Sequence, residues 1–383
     1  MLIGIDASRA LKEEKTGTEN YSWNLIQALA KVDKNNRYVC YFNSYPQILD
    51  ISQPNISTKV IRAPRFWTQG RLAFECFIRP PDILFVPAHT IPVIRRPGLK
   101  TIVTIHDLGS EFLAEYHKFP QKLYLNWSTE FVAKNATHLI AVSESTKKDL
   151  SRSLKVPGKR VSVVYEGIST ETFYPRESWE IKAAKAKYGV NKSYFLYVGT
   201  IQPRKNLVLL IQAFAKANLR GVDLVLAGSR GWLTKEIYQA PEKFSIKDKV
   251  HFLGYVPDDD LSALYSGAKS LLFPSLYEGF GLPILEAFAS RCPVLTSNQG
   301  ATAEVAGKAA LLVNPKDVND IAAKIKKLST NEKLRNSLIA KGAERVKEFS
   351  WEKTAKETVK VFEKVYAENA KRQISNVKSN SND

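Results

Sequence analysis

The stretch Ser270-Leu271-Leu272-Phe273-Pro274-Ser275-Leu276-Tyr277-Glu278-Gly279-Phe280-Gly281-Leu282-Pro283-Ile284-Leu285-Glu286-Ala287 decides how the chain folds. Its first four residues read as a buried strand, two glycines then open the backbone in a loop, and Pro283 suits the first position of a helix. A carboxylate stands on each side of the glycines. Glu286 falls near the end of the helix's first turn. Strand, loop and helix make the unit of an α/β fold, and the unit recurs. In the same half, strands are expected over 194–198, 223–227, 250–253, 293–296 and 310–313, with helices over 206–218 and 258–267. Toward the start, strands are expected over 2–6, 38–42, 59–63, 83–86, 101–105, 138–142 and 161–165, with helices over 21–32, 121–134 and 144–153. The runs are near-continuously apolar rather than alternating, as parallel strands covered on both faces are. The rhythm pauses over 167–180, around Pro175, which marks a domain boundary. Two doubly wound, Rossmann-like domains are therefore expected to face each other, one over 1–172 and one over 173–350. Helices over 331–348 and 351–370 close the chain before a polar tail, 371–383, expected to be disordered.

Composition agrees with two globular domains: 383 residues, 44% hydrophobic and 25% charged, leave room for sizeable cores. No apolar run approaches the roughly 18 to 20 residues of a membrane helix, and the start lacks a basic segment followed by an apolar one. A cytoplasmic, soluble chain is expected. Cys40, Cys76 and Cys292 are far apart and lack CxxC spacing, so they read as core thiols rather than as a disulfide framework or zinc site. The net charge of +18 is spread evenly: residues 1–170 carry 23 Lys and Arg against 15 Asp and Glu, a net of +8, and the rest carry +10. A basic arm for nucleic acid would concentrate charge. Even spread fits anionic small substrates or an acidic membrane surface, with a lysine-rich solubilising surface as the plainer alternative.

In doubly wound sheets ligands sit beyond the carboxyl ends of the strands, which points to the loops after Ile105, Val198, Leu253 and Phe273. Val198-Gly199-Thr200-Ile201-Gln202-Pro203-Arg204-Lys205-Asn206-Leu207 leaves a strand, turns at a glycine and enters a helix with two adjacent cations. Unpaired N–H groups at a helix start, with Arg and Lys beside them, can cradle a diphosphate. A solvated basic cap is the alternative, although cations are slightly unfavourable there. Glu278 and Glu286 could each take two hydroxyls of a ribose or hexose, while Glu286 alone could also be a favourable acid in a first turn. Asp258-Asp259-Asp260 looks like a metal site, but it precedes Leu261, Leu264 and Tyr265 at helical spacing and reads as an N-cap with an acidic first turn. No G-x-G-x-x-G follows a strand with an acid about 20 positions on, so a nicotinamide dehydrogenase is excluded.

Residues 199–206, and Glu278 separated from Glu286 by seven residues with Gly-Phe-Gly-Leu-Pro between, closely resemble the donor-binding motifs of the retaining GT-B glycosyltransferases of family 4, the glycosyltransferase group 1 family. The likeness continues through Ile105-His106-Asp107-Leu108, Ala227-Gly228, Gly231-Trp232, Leu253-Gly254-Tyr255-Val256 and Phe349-Ser350-Trp351, and is closest to bacterial mannosyltransferase-type members. It implies two Rossmann-like domains across a cleft, the acceptor on the first and the nucleotide sugar on the second, with the helix after Trp351 crossing back to the first. It further implies catalytic roles for His106, Arg204, Lys205 and Glu278. Arg204 and Lys205 would neutralise the diphosphate, Glu286 hold the ribose, Glu278 with Gly279, Phe280, Gly281 and Leu282 grip the donor sugar, and Tyr255 and Val256 border the base. Gly17 and Gly199 would let backbone approach the diphosphate, and a neutral His106 imidazole would meet a sugar hydroxyl or organise the acceptor; a satisfied strand-end histidine is its alternative.

The chain departs from the usual pattern after Gly17, where Thr18, Glu19 and Asn20 replace a second glycine and a basic residue, leaving Glu19, with Asp107, as an acceptor contact. Gly300-Ala301-Thr302-Ala303 before Glu304-Val305 is a second departure, expected to change only loop packing. No covalent nucleophile stands out, so the expected reaction is front-face displacement with retention. A nucleoside-diphosphate sugar is the co-substrate, with no cofactor and no metal. Mannose is the first-choice sugar; a glucosyl- or N-acetylglucosaminyltransferase, and a non-catalytic sugar-nucleotide or polysaccharide binder, are the alternatives. The acceptor is a glycan or lipid-linked hydroxyl, and no nucleic acid is bound. Finally, Lys59, Arg62, Arg65, Arg71 and Arg79 interleave with Phe66, Trp67, Phe74 and Phe77 against the single acid Glu75. That mixture suits peripheral contact with an anionic membrane on the cytoplasmic face, or else an aromatic cluster packed under a loop.

Overall fold

The computed structural model describes the chain apart from residues 12–16, 46–52, 63–66, 89, 110–120 and 381–383; over 121–126 and 369–380 it describes the backbone alone. The chain divides into two compact units, one made of the described residues of Met1–Leu108, Phe119–Gly167 and Trp351–Asp383, the other of those of Gly109–Lys118 and Ile168–Ser350.

In the first unit, strands β1 (Leu2–Asp6), β2 (Arg37–Phe42), β3 (Ile56–Val60), β4 (Ile83–Val86), β5 (Lys100–Ile105), β6 (His138–Ala141) and β7 (Val161–Val163) form a sheet in the order β3-β2-β1-β4-β5-β6-β7. Every pairing is parallel. Parallel neighbours need crossovers, and helices α1 (Gly17–Val32), α2 (Ala73–Ile78), α3 (Gln121–Asn135) and α4 (Glu144–Ser153) lie between strands. β4 is wholly buried, which its four apolar residues permit. Ser143 caps α4 by accepting the Thr146 N–H.

The second unit runs α5 (Ser178–Lys187), β8 (Ser193–Val198), α6 (Leu207–Ala217), β9 (Val222–Ala227), α7 (Lys235–Lys243), β10 (Val250–Gly254), α8 (Asp258–Gly267), β11 (Leu271–Phe273), α9 (Leu282–Ala289), β12 (Val294–Ser297), α10 (Gly300–Ala306), β13 (Leu311–Val313), α11 (Val318–Thr330) and α12 (Glu332–Arg345). Its sheet is again parallel, ordered β10-β9-β8-β11-β12-β13. The last helix, α13 (Trp351–Asn380), belongs to the first unit. Phe362 meets Phe85 edge-on at 5.2 Å, Trp351 meets Tyr21 at 5.9 Å, and Thr354 donates to the Tyr165 carbonyl at 2.8 Å.

Four differences from the sequence reading have physical causes. The strand expected over 59–63 is Ile56–Val60, because an edge strand carries polar Ser57, Thr58 and Lys59 instead of an apolar run. The tail expected to be disordered from 371 continues α13 to Asn380; no glycine or proline interrupts 351–380 to stop it. Pro283 is the second helical residue, since Gly281 takes the N-cap position and Leu282 begins α9. The three aspartates fill the first turn of α8, but Pro257 holds the N-cap position.

Candidate functional site

In the second sheet the strand order reverses between β8 and β11, the place where the loops after neighbouring strands diverge and open a crevice. Gly199 leaves β8 at φ +140°, and a Cβ there would come within 2.9 Å of the Tyr197 hydroxyl. Next to it, a Cβ on Gly228 would lie 2.0 Å from the Gly199 carbonyl oxygen, so only glycine lets the two backbones approach. The Gly199 N–H donates to Ala227 at 2.9 Å and the Gly228 N–H to Gly254 at 2.7 Å, stitching the ends of β8, β9 and β10 together.

Arg204 and Lys205 do not sit on the helix as the sequence suggests. They lie on a 3₁₀ turn, Pro203–Lys205, and Asn206 in the left-handed region at φ 63° separates that turn from α6. The Asn206 amide donates to the Pro274 and Pro315 carbonyls at 3.1 and 2.6 Å, and the Leu276 N–H donates to the Arg204 carbonyl at 3.0 Å. These bonds fix the loop after β8 against the loop after β11.

The result is a charge cluster. Lys205 Nζ stands 2.6 Å from Glu278 Oε1, and Arg204 Nη1 3.6 Å from Glu278 Oε2. The Lys205 and Glu278 side chains are 10% and 8% exposed, and the ammonium also lies 5.4 Å from the centre of the Phe273 ring. Two cations share one carboxylate. Beyond Glu278 the loop passes Gly279 and Phe280, which is buried edge-on to Phe349 at 6.0 Å, and turns at Gly281 with φ +121° into Leu282 and α9. One turn into α9, Glu286 is buried and its Oε2 accepts the Tyr265 hydroxyl at 2.8 Å. Burial pushes its carboxyl up to about 8, the Tyr265 hydrogen bond pulling against the rise and the Asp258 charge adding to it. After β10, Tyr255 is exposed and Val256 buried. The aspartates expected to be structural are held in ion pairs, Asp259 with Arg176 at 3.0 Å and Asp260 with Lys187 at 2.5 Å. Among the described residues no group of three or more His, Cys, Asp or Glu side chains is gathered to hold a metal ion.

In the first unit, His106 follows β5, and its two ring nitrogens have partners at 3.1 Å (Nδ1 to Glu166 Oε1) and 2.9 Å (Nε2 to the Pro87 carbonyl). A carbonyl only accepts, so Nε2 carries a proton. Burial works against charging the ring, but the Glu166 hydrogen bond and charge, the Pro87 carbonyl and Asp107 together raise its pKa above the ordinary value. Both ring nitrogens are engaged within the unit. Tyr21 meets the His106 ring edge-on at 4.7 Å. Glu19 is buried in the first turn of α1, 3.4 Å from Arg9, with Thr18 donating to it at 3.2 Å, while open space surrounds the Cβ direction of Gly17.

The basic and aromatic segment divides. Trp67 is 7% exposed and its indole donates to the Ile61 carbonyl at 2.7 Å, so it is a core residue and not an interfacial one. Arg62 stacks over Tyr45 at 4.9 Å, Lys59 pairs with Glu75 at 2.6 Å, and Arg71 and Arg79 are exposed. Phe74, Phe77 and Ile78 are exposed along α2. Arg65 and Phe66 lie outside the described residues. Among the described residues no helix is long and apolar enough to cross a membrane.

Sequence reasoning missed two residues. Glu166 lies 60 positions from His106, on the loop after another strand. Tyr265 carried only the signal of an apolar position at helical spacing.

Two parallel, doubly wound sheets, with a cluster of charged side chains beyond the strand ends of the second, are the architecture of the GT-B fold. Residues 178–345 match the family described as Glycosyl transferases group 1, and residues 15–172 match Glycosyltransferase Family 4. The chain belongs to that family. It is 33% identical over 268 residues, 69% of this chain and 70% of the other, to O-antigen chain mannosyltransferase B of Escherichia coli. It is 27% identical over 334 residues, 83% of this chain and 88% of the other, to an O-antigen chain mannosyltransferase of Salmonella typhimurium. Its fold is that of sucrose-phosphate synthase from Thermosynechococcus elongatus, with a TM-score of 0.75 at 20% identity over 96% of this chain and 99% of that one.

Proposed function

We propose that this glycosyltransferase moves mannose from a nucleoside-diphosphate donor to a hydroxyl of a glycan or lipid-linked acceptor, with retention at the anomeric carbon and without a metal ion. The observation that carries the reading is the cluster of Arg204, Lys205 and Glu278 beyond β8 and β11. Its two cations suit a diphosphate and would stabilise the charge that grows on the leaving group as the glycosidic bond breaks. The Glu278 carboxylate, tied to Lys205 at 2.6 Å, would have to give up that pair to attack the sugar, which favours front-face displacement with the leaving diphosphate taking the acceptor's proton. Glu286 would receive the ribose hydroxyls, and their hydrogen bonds would draw its carboxyl toward the ionised form. The choice of mannose follows the two mannosyltransferase relatives.

The acceptor would sit on the first unit near His106, Asp107 and Glu19, with His106 hydrogen-bonded to Glu166. The exposed Phe74, Phe77 and Ile78 beside Arg71 and Arg79 support peripheral contact with an anionic membrane from the cytoplasmic side. A thermal-shift panel of nucleotide sugars identifies the donor, and proton NMR of the product reads its anomeric configuration. Transfer of mannose with retention, persisting in excess EDTA, is the expected result. Failure of every nucleotide sugar to bind, an inverted product, or loss of activity in EDTA that manganese restores would overturn the corresponding part of the reading.

A further inference from the structure

On the reading that Glu286 holds the donor's ribose, we propose that Tyr265 is a positioning residue for donor binding, pinning one oxygen of the Glu286 carboxylate and presenting the other to the ribose hydroxyls. Tyr265 is fully buried on α8, and its hydroxyl donates to Oε2 at 2.8 Å, whereas Oε1 makes no hydrogen bond among the described residues. The tyrosine itself is held: Phe173 meets its ring edge-on at 6.2 Å. A phenol has one proton to give, and burial together with the neighbouring Glu286 raises its pKa so far that this proton is always present. The carboxylate is thus fixed in rotation by a rigid donor that cannot change its protonation state.

The same bond governs when Glu286 is ionised. Burial raises its pKa, the Tyr265 hydroxyl lowers it, and Asp258, at the start of the same helix α8, raises it again. Cys292, beyond α9, acts on Tyr265 and is itself a neutral thiol, burial pushing it up to about 12. Without the hydroxyl, Glu286 would stay protonated to higher pH and its free oxygen would no longer be aimed. Affinity for a ribonucleotide should then suffer, while affinity for a nucleotide lacking the ribose hydroxyls should not.

The test is calorimetric titration of wild type, Tyr265→Phe and Glu286→Gln with GDP, UDP and their 2′,3′-dideoxy counterparts from about pH 6 to about pH 9. Wild type should prefer the ribonucleotide about tenfold or more, the scale of one hydrogen bond to a charged group. Tyr265→Phe should lose most of that preference at neutral pH and lose affinity at a pH about one unit higher than wild type, its affinity for the dideoxy nucleotide unchanged. A Tyr265→Phe protein with the wild-type preference and pH profile, or one weakened equally toward both nucleotides, overturns the positioning role while leaving Glu286 in place. If Glu286→Gln also keeps the wild-type preference, or if neither nucleotide binds the wild type, the ribose reading fails and the proposal falls with it.

Discussion

Lys205→Met removes one half of a buried ion pair and leaves the Glu278 carboxylate, 8% exposed, with the longer contact to Arg204 at 3.6 Å as its remaining cation among the described residues. Breaking such a pair by deleting one partner costs about 3 to 5 kcal/mol, because the survivor keeps its desolvation penalty without its compensation. Arg204 offsets part of this, so the lower figure, about 3 kcal/mol, applies. For a unit of this size that corresponds to a fall of about 6 to 12 °C in the second unit's unfolding temperature. Glu278→Gln removes the other half of the pair and should cost about as much. Combining the two removes both charges, so the double variant should lose about 3 kcal/mol rather than about 6, a coupling of about 3 kcal/mol between the sites. Differential scanning calorimetry of the four proteins measures it, and donor hydrolysis measured alongside should remain abolished in the double variant, since stability is recovered without the diphosphate-binding charge. Losses that add to within about 0.5 kcal/mol would refute the buried pair.

Gly228→Ala should destabilise the second unit by about 3 kcal/mol or more, since its Cβ would fall 2.0 Å from the Gly199 carbonyl oxygen; an unfolding curve matching wild type would contradict the close approach. Because the folded pKa of His106 is raised, its contribution to stability is fully present below pH 6.5 and is lost as pH rises through the elevated value. Glu166→Gln should abolish that decline, and unfolding midpoints that fall in parallel with pH for both proteins would show that the pair contributes nothing. Phe74→Ser combined with Phe77→Ser should prevent sedimentation with anionic vesicles at low salt while leaving donor hydrolysis intact; equal sedimentation of the variant and the wild type would remove α2 from any membrane contact.

Particular residues show what could be read before the structure. Apolar runs such as Ile83–Val86 and 224–227 are buried on both faces, so burial alone made them visible as parallel strands. Ile56–Val60, at the sheet edge, carries the polar side chains an edge tolerates and slipped by several residues. The chemistry followed the same division. Arg204, Lys205, Glu278 and Glu286 stood out because charge beside glycines after a strand has a ready physical use. Their arrangement did not, because it depends on the left-handed turn at Asn206 and on the loop after another strand meeting Arg204's backbone. Glu166 and Tyr265 act at long range in sequence, and no local pattern marks an acid that will face a histidine or a tyrosine that will face a glutamate.

The central claim is that Arg204 meets charge created as the donor breaks, while Glu286 binds a part of the donor that does not change. Steady-state kinetics of Arg204→Ala and Glu286→Ala with the nucleotide sugar that binds tests it most directly. Arg204→Ala should lower kcat by roughly 10² to 10³, and Glu286→Ala should chiefly raise the donor KM. The opposite assignment, with Arg204→Ala changing only KM and Glu286→Ala only kcat, would contradict the account.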